Sequence, residues 1–154
     1  MPAMCNRRRN LALPALFLVL APLSRGDDVS PVDGIWVNGD GDGWIELSVI
    51  AGELRGRIIG SPDDPHNARP SRLDEKNPDE SERRRPLRGL TILSGFRSAG
   101  GVRWTGGRVY DPNSGNTYRG TITVVDADTL RLRGFIGISL FGRTEVWRRR
   151  PDSS

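Results

Sequence analysis

The chain has 154 residues, with 23 Lys+Arg against 19 Asp+Glu, one Cys and one His. That is enough for one domain and not comfortably for two. Four of the bases (Arg7, Arg8, Arg9 and Arg25) and the cysteine, Cys5, fall in the first 26 positions, so the remainder carries 19 charges of each sign, no thiol and a single imidazole. For that remainder the composition excludes a disulfide framework, a cysteine nucleophile and any metal site built from several His or Cys, and the high overall pI ceases to argue for nucleic-acid binding.

In chain order, the three arginines precede an uncharged run of 13 residues, Leu11 to Leu23, and Ser24-Arg25-Gly26 follows. A basic start, an apolar stretch and small residues at −3 and −1 form the pattern of a secretory signal peptide. The run is shorter than the about 20 apolar residues that span a bilayer, and Pro14 and Pro22 interrupt it. The expectation is a leader over residues 1–26 and a single domain over 27–154. The domain is expected to be exported to the periplasm or beyond, with no stable membrane span. Arg8-Arg9 fits both general and twin-arginine export.

Beyond the leader the apolar pattern has period two. Ile45, Leu47 and Val49 alternate with Glu46 and Ser48; Leu54 and Ile58 with Arg55 and Arg57; Tyr118, Ile122 and Val124 with Arg119, Thr121 and Thr123; Leu130 and Leu132 with Arg131 and Arg133. Each run predicts a strand with one buried and one wet face, as in an antiparallel sheet or barrel. Ala51-Gly52, Asp111 to Asn116 and Asp126 to Asp128 predict tight turns between strands. Asn38 to Gly43 opens like a calcium loop, but the twelfth position is Val49 rather than Glu, so a glycine-rich turn is the better reading.

Residues 61–86 break the pattern with five prolines, many charges and few apolar side chains, which predicts a long charged surface loop. Inside it a short helix is expected, capped by Asn77, opened by Pro78 and stopped by Pro86, with its acids early and its bases late. Charge is segregated: residues 27–82 hold 14 acids and 5 bases, and residues 83–154 hold 5 and 14. Leu54-Arg55-Gly56 is echoed by Leu132-Arg133-Gly134.

Gly34-Ile35-Trp36, the segment from Leu73 to Phe96, Trp104 to Gly120 (WTGGRVYDPNSGNTYRG) and Leu130 to Arg149 (LRLRGFIGISLFGRTEVWRR) together resemble the bacterial family known as domain of unknown function 2147. The resemblance spans nearly all of the expected mature chain. It implies a small exported protein and says little about activity. A more distant similarity is to lipocalin-like barrels, which carry Gly-x-Trp on the first strand and an arginine on a late strand stacked on the tryptophan. Gly34, Trp36 and either Arg143 or Arg148 match those parts. The expected fold is therefore all-β: a small antiparallel lipocalin-like barrel with one long charged loop containing a short helix.

No catalytic constellation emerges. His66 stands alone in the proline-rich loop, no Gly-x-Ser-x-Gly elbow occurs, and Asp111 beside Pro112 suits a turn better than chemistry. Glu145, among arginines, reads as one half of a cross-strand ion pair. No cofactor is expected. The candidate ligand-binding set is Trp104, Tyr110, Tyr118, Arg133, Arg143 and Trp147, with Arg133 or Arg143 holding an anion at a barrel mouth and the aromatics holding an apolar body. The expected function is non-catalytic binding of a small amphipathic or anionic molecule. The alternative is an envelope interaction protein acting through the charged loop or the apolar stretch Phe135 to Phe141.

Overall fold

The computed structural model describes residues 30–135 and 142–151; the leader expected at 1–26 and the apolar residues from Ile136 to Phe141 lie outside the described residues. Eight strands follow one another: β1 (Gly34–Val37), β2 (Trp44–Ile50), β3 (Glu53–Gly60), β4 (Thr91–Ser98), β5 (Arg103–Asp111), β6 (Asn116–Asp126), β7 (Thr129–Phe135) and β8 (Gly142–Arg149). Each pairs antiparallel with the next, and β8 returns to β1 through Trp36↔Arg149 and Val37↔Arg148. The all-β barrel expected from the alternation is therefore present and closed, which leaves no edge strand open to stray pairing among the described residues.

The alternating runs become β2, β3, β6 and β7, with Ile45, Leu47, Leu54, Ile122, Leu130 and Leu132 buried in one core cluster. Ala51 and Gly52 both take positive φ (51° and 74°), the two-residue turn whose twist matches its flanking strands. In β4 and β5 the period fails because Gly95 and Gly106 adopt φ of 74° and 78° and the pairing slips between Trp104 and Gly107. Such bulges bend the strands where a small barrel must turn. Gly107 and Gly120 face each other across β5 and β6, and the buried ring of Phe96 lies over both. A Cβ on Gly120 would fall 2.8 Å from the tip of that ring, and one on Gly107 would overlap it.

One end of the barrel is plugged. Val32 is buried beneath it, and the Trp36 indole donates to the Val32 carbonyl at 2.9 Å. The arginine stacked on Trp36 is Arg149, 4.3 Å from the ring, and not Arg143 or Arg148. The register decides this. Arg149 is paired with Trp36 and shares its side of the sheet, whereas Arg148 pairs with Val37 and reaches Thr129 Oγ1 at 2.6 Å. Arg149 also donates to the carbonyls of Asp33 and Pro31, both at 2.7 Å, and of Ala127 at 2.6 Å. This fork ties the segment before β1 to the β6–β7 turn.

At the opposite end lies the long β3–β4 connection. Its expected helix is a single 3₁₀ turn, Glu80–Glu82. Asp79, not Asn77, caps it by accepting from Ser81 N–H. Asn77 closes an Asx turn just ahead of it, its amide donating to Asp74 at 2.7 Å and its side-chain oxygen accepting from Asp79 N–H. Asp74, 0% exposed, is the anchor of the loop. Besides Asn77 it accepts from the Tyr110 hydroxyl at 2.6 Å and from Arg85 at 3.0 Å, so the loop is fastened to the wall of β5.

Candidate functional site

Strand direction puts the connections after β1, β3 and β5 at the end away from the plug, and there the barrel opens into a cavity of about 690 Å³. Pockets that take small molecules span about 300–1,000 Å³, and an eight-stranded barrel leaves room for one small ligand. The lower wall is apolar, with Ile45, Ile58, Ile92, Val109, Leu132 and Trp147 facing inward. The rim is charged. The β1–β2 turn brings Asp40 and Asp42, the long loop brings Asp63, Asp64, Arg69, Arg72 and Arg88, and the β5–β6 turn brings Asp111.

Each part of the rim is fixed locally. Asn38 closes the β1–β2 turn by accepting from the backbone of Asp42 (3.0 Å) and Gly43 (2.9 Å). Asp64 accepts the N–H groups of Ala68 and Arg69 at 2.8 and 2.9 Å, and these bonds, that of Arg69 foremost, hold its carboxyl below the usual range. Arg88 lies 3.4 Å from the same carboxylate. Asp111 accepts from Asn113 N–H (2.9 Å) and the Ser114 hydroxyl (2.6 Å), the turn-stabilising role its position beside Pro112 implied. Arg72 reaches from the loop to Asn113 at 3.3 Å. The loop thus forms a wall of the mouth rather than a free appendage.

Of the six residues nominated from sequence, Tyr110, Tyr118, Arg143 and Trp147 line the cavity. Trp104 does not; it is buried in the core beside Ile122. Arg133 does not line it either. It pairs with Thr121 and Thr144, on the sheet face opposite Leu132 and Gly134, and donates to Thr144 Oγ1 at 3.3 Å. Burial pushes the Tyr110 hydroxyl up to about 12, and its hydrogen bond to Asp74 adds to the shift. Burial would raise the Asp74 carboxyl, but hydrogen bonds from Tyr110, Asn77 and Arg85 outweigh it and hold the group below its usual value.

Sequence reasoning missed the inward position of Glu145. Its partner across β7 is Leu132, so it stands on the cavity wall rather than in a cross-strand ion pair. Its Oε2 accepts from Trp147 Nε1 at 3.1 Å, and Arg143 Nε lies 3.9 Å from Oε1. Arg143 also reaches Asp40 at 3.4 Å, so one guanidinium is shared by two carboxylates. Strand parity held the signal: Arg143, Glu145 and Trp147 are two apart, and Trp147 is the obvious inward residue. Among the described residues no group of three His, Cys, Asp or Glu is arranged to hold a metal ion, and no helix is long and apolar enough to cross a membrane.

A solved structure described as "Protein HP1028 from the human pathogen Helicobacter pylori belongs to the lipocalin family" superimposes with a TM-score of 0.69 at 22% identity, covering 78% of this chain and 83% of that one. At that identity the likeness concerns the fold. No curated protein matches the sequence. Residues 34–149, β1 through β8, match the family described as an uncharacterized protein conserved in bacteria (DUF2147).

Proposed function

The chain belongs to the bacterial family DUF2147 and has a lipocalin-like barrel, and from that premise we propose that it is a non-catalytic module that holds one small amphipathic molecule in its open mouth. The observation that carries this reading is the 690 Å³ cavity, plugged at the far end by Val32, Trp36 and Arg149, apolar on its lower wall and charged at its rim. An apolar body gains by leaving water for the wall of Ile45, Ile58, Leu132 and Trp147, while a polar group meets the rim. The leader-like residues 1–26 support placing this module in the bacterial envelope, on the periplasmic side or beyond.

Binding of a simple anion is less well supported than binding of an amphipath. Of the two arginines nominated to hold an anion, Arg133 is outside the cavity lining, and Arg143 faces Asp40 and Glu145. The interaction reading through Phe135 to Phe141 is weakened at its first residue, since Phe135 lines the cavity.

Native mass spectrometry of the protein recovered from the periplasm tests the proposal. The expected result is an additional mass that is lost on denaturation and that fails to appear in Ile58→Trp, in which an indole fills the lower cavity. A bare protein mass, or an adduct unaffected by Ile58→Trp, would refute it.

A further inference from the structure

The position of Glu145 says which polar group the mouth prefers. We infer that this cavity selects amphipaths with a cationic head, such as an alkyl ammonium, over those with a carboxylate head, and that Glu145 is the residue that reads the head. The inference rests on the ligand-binding reading above and deepens it.

Glu145 stands at the boundary between the apolar wall and the charged rim, two residues above Trp147 on the inward face of β8. Its side chain is 28% exposed, open to the cavity but backed by protein. The turn residue Gly39 lies so close behind it that a Cβ there would fall 2.9 Å from the Glu145 Cβ. With Trp147 Nε1 donating to its Oε2 at 3.1 Å, the carboxylate is held in place before any ligand arrives. Preorganised charge of this kind discriminates better than a mobile side chain, because no ordering cost is left for the ligand to meet.

A carboxylate offers about four acceptor positions. Trp147 occupies one, and Arg143 at 3.9 Å is an ion pair without a hydrogen bond. Arg143 is 76% exposed and divides its charge between Glu145 and Asp40, so this group of three carries a net negative charge. Among the described residues that line the mouth, six carboxylates face four guanidinium groups. An ammonium head would complete the hydrogen bonding of Glu145 in a cavity that Trp147 and Tyr118 also line, and aromatic rings attract cations. A carboxylate head would be placed against Glu145 in a partly dry cavity, where like charges repel more strongly than in water.

The test uses decylamine, decanoate and decanol below their micellar concentrations, with affinities measured by titration calorimetry at neutral pH. Decylamine is expected to bind at least tenfold more tightly than decanoate, with decanol between them. In Glu145→Gln, whose amide oxygen still accepts from Trp147, the preference is expected to collapse to within about threefold. In Arg143→Gln, a change at an exposed side chain, it is expected to widen; that variant decides the matter should Glu145→Gln fail to fold. Equal or tighter binding of decanoate by the wild-type protein overturns the inference and leaves the ligand-binding reading standing, as does a preference that survives Glu145→Gln. Failure of all three probes to bind, or binding that persists in Ile58→Trp, overturns both.

Discussion

Tyr110→Phe isolates the bond that fastens the long loop to the barrel. The substitution removes one oxygen and leaves the ring in place, so the lost quantity is the 2.6 Å hydrogen bond to the buried Asp74 carboxylate. Hydrogen bonds to charged groups contribute about 1.5–3 kcal/mol. Asp74 keeps Asn77 and Arg85 as donors, and Arg85 is 39% exposed, so water can reach part of the network. We therefore expect a loss near the lower end, about 2 kcal/mol, or roughly 8 °C in melting temperature for a domain of this size. Urea denaturation followed by tryptophan fluorescence measures it. A double-mutant cycle with Asp74→Asn should show a coupling energy of about 1 kcal/mol or more. Hydrogen exchange should accelerate first in residues 72–90. A loss below 0.5 kcal/mol with no change in loop exchange would refute the view that this bond anchors the loop.

The same network predicts the pH response. The Asp74 carboxyl is held below its unfolded value of 3.8, so its contribution is complete above that pH and disappears as pH falls through the lower folded value. Tyr110 is raised from 10.0 to about 12, so its contribution is complete below pH 10 and is lost as pH rises toward 12; Tyr110→Phe should abolish that alkaline loss in denaturation curves. Gly107→Ala should cost about 1–3 kcal/mol by forcing a methyl into the Phe96 ring, and Phe96→Leu should recover part of it; calorimetric melting of the single and double variants checks both. Arg149→Lys keeps the charge but not the fork that serves three carbonyls. It should lower stability by about 2 kcal/mol and shift the emission of Trp36, whereas an unchanged melting temperature would show that the plug does not need the guanidinium.

What the sequence revealed depended on where local pattern and tertiary register agree. Leu47, Leu54, Ile122 and Leu132 lie in runs whose alternation is unbroken, and each is buried. In β4 and β5 the bulges at Gly95 and Gly106 shift the inward set to Leu93, Phe96, Trp104 and Val109, a spacing no period-two template contains. The alternation with Leu132 puts Arg133 on the outer face, whereas residue type alone, an arginine suited to an anion, points into the barrel. The loop helix is cut to a single 3₁₀ turn, Glu80–Glu82, for a different reason. Asn77 and Pro78 are good helix openers, but Asp74 sets up a competing polar network, and nothing marks Asp74 among the 19 acids except the fold that buries it.

Strand β8 offers two conflicting parities, and it also carries the inward carboxylate of the candidate site. Its inward face reads Arg143, Glu145, Trp147 and Arg149, while apolar Val146 is outward and 43% exposed. Against the parity of its neighbour Trp147, hydrophobic parity taken from Val146 alone would bury Val146 and leave Glu145 wet. The register with β7 reverses this, because Leu132 must point inward to complete the core and its partner is Glu145. A charged inner face in a barrel is costly unless each charge is answered. Arg149 is answered at the plug by Trp36 and three carbonyls, which makes it structural. Trp147 is answered by Glu145. Glu145 itself is only partly answered, by an indole and a shared arginine, and it faces the cavity. Along one strand the inner face therefore passes from closure to cavity wall to charged rim, and under the reading proposed above Glu145, answered by one hydrogen bond and a shared arginine, is the residue that would meet a ligand's head.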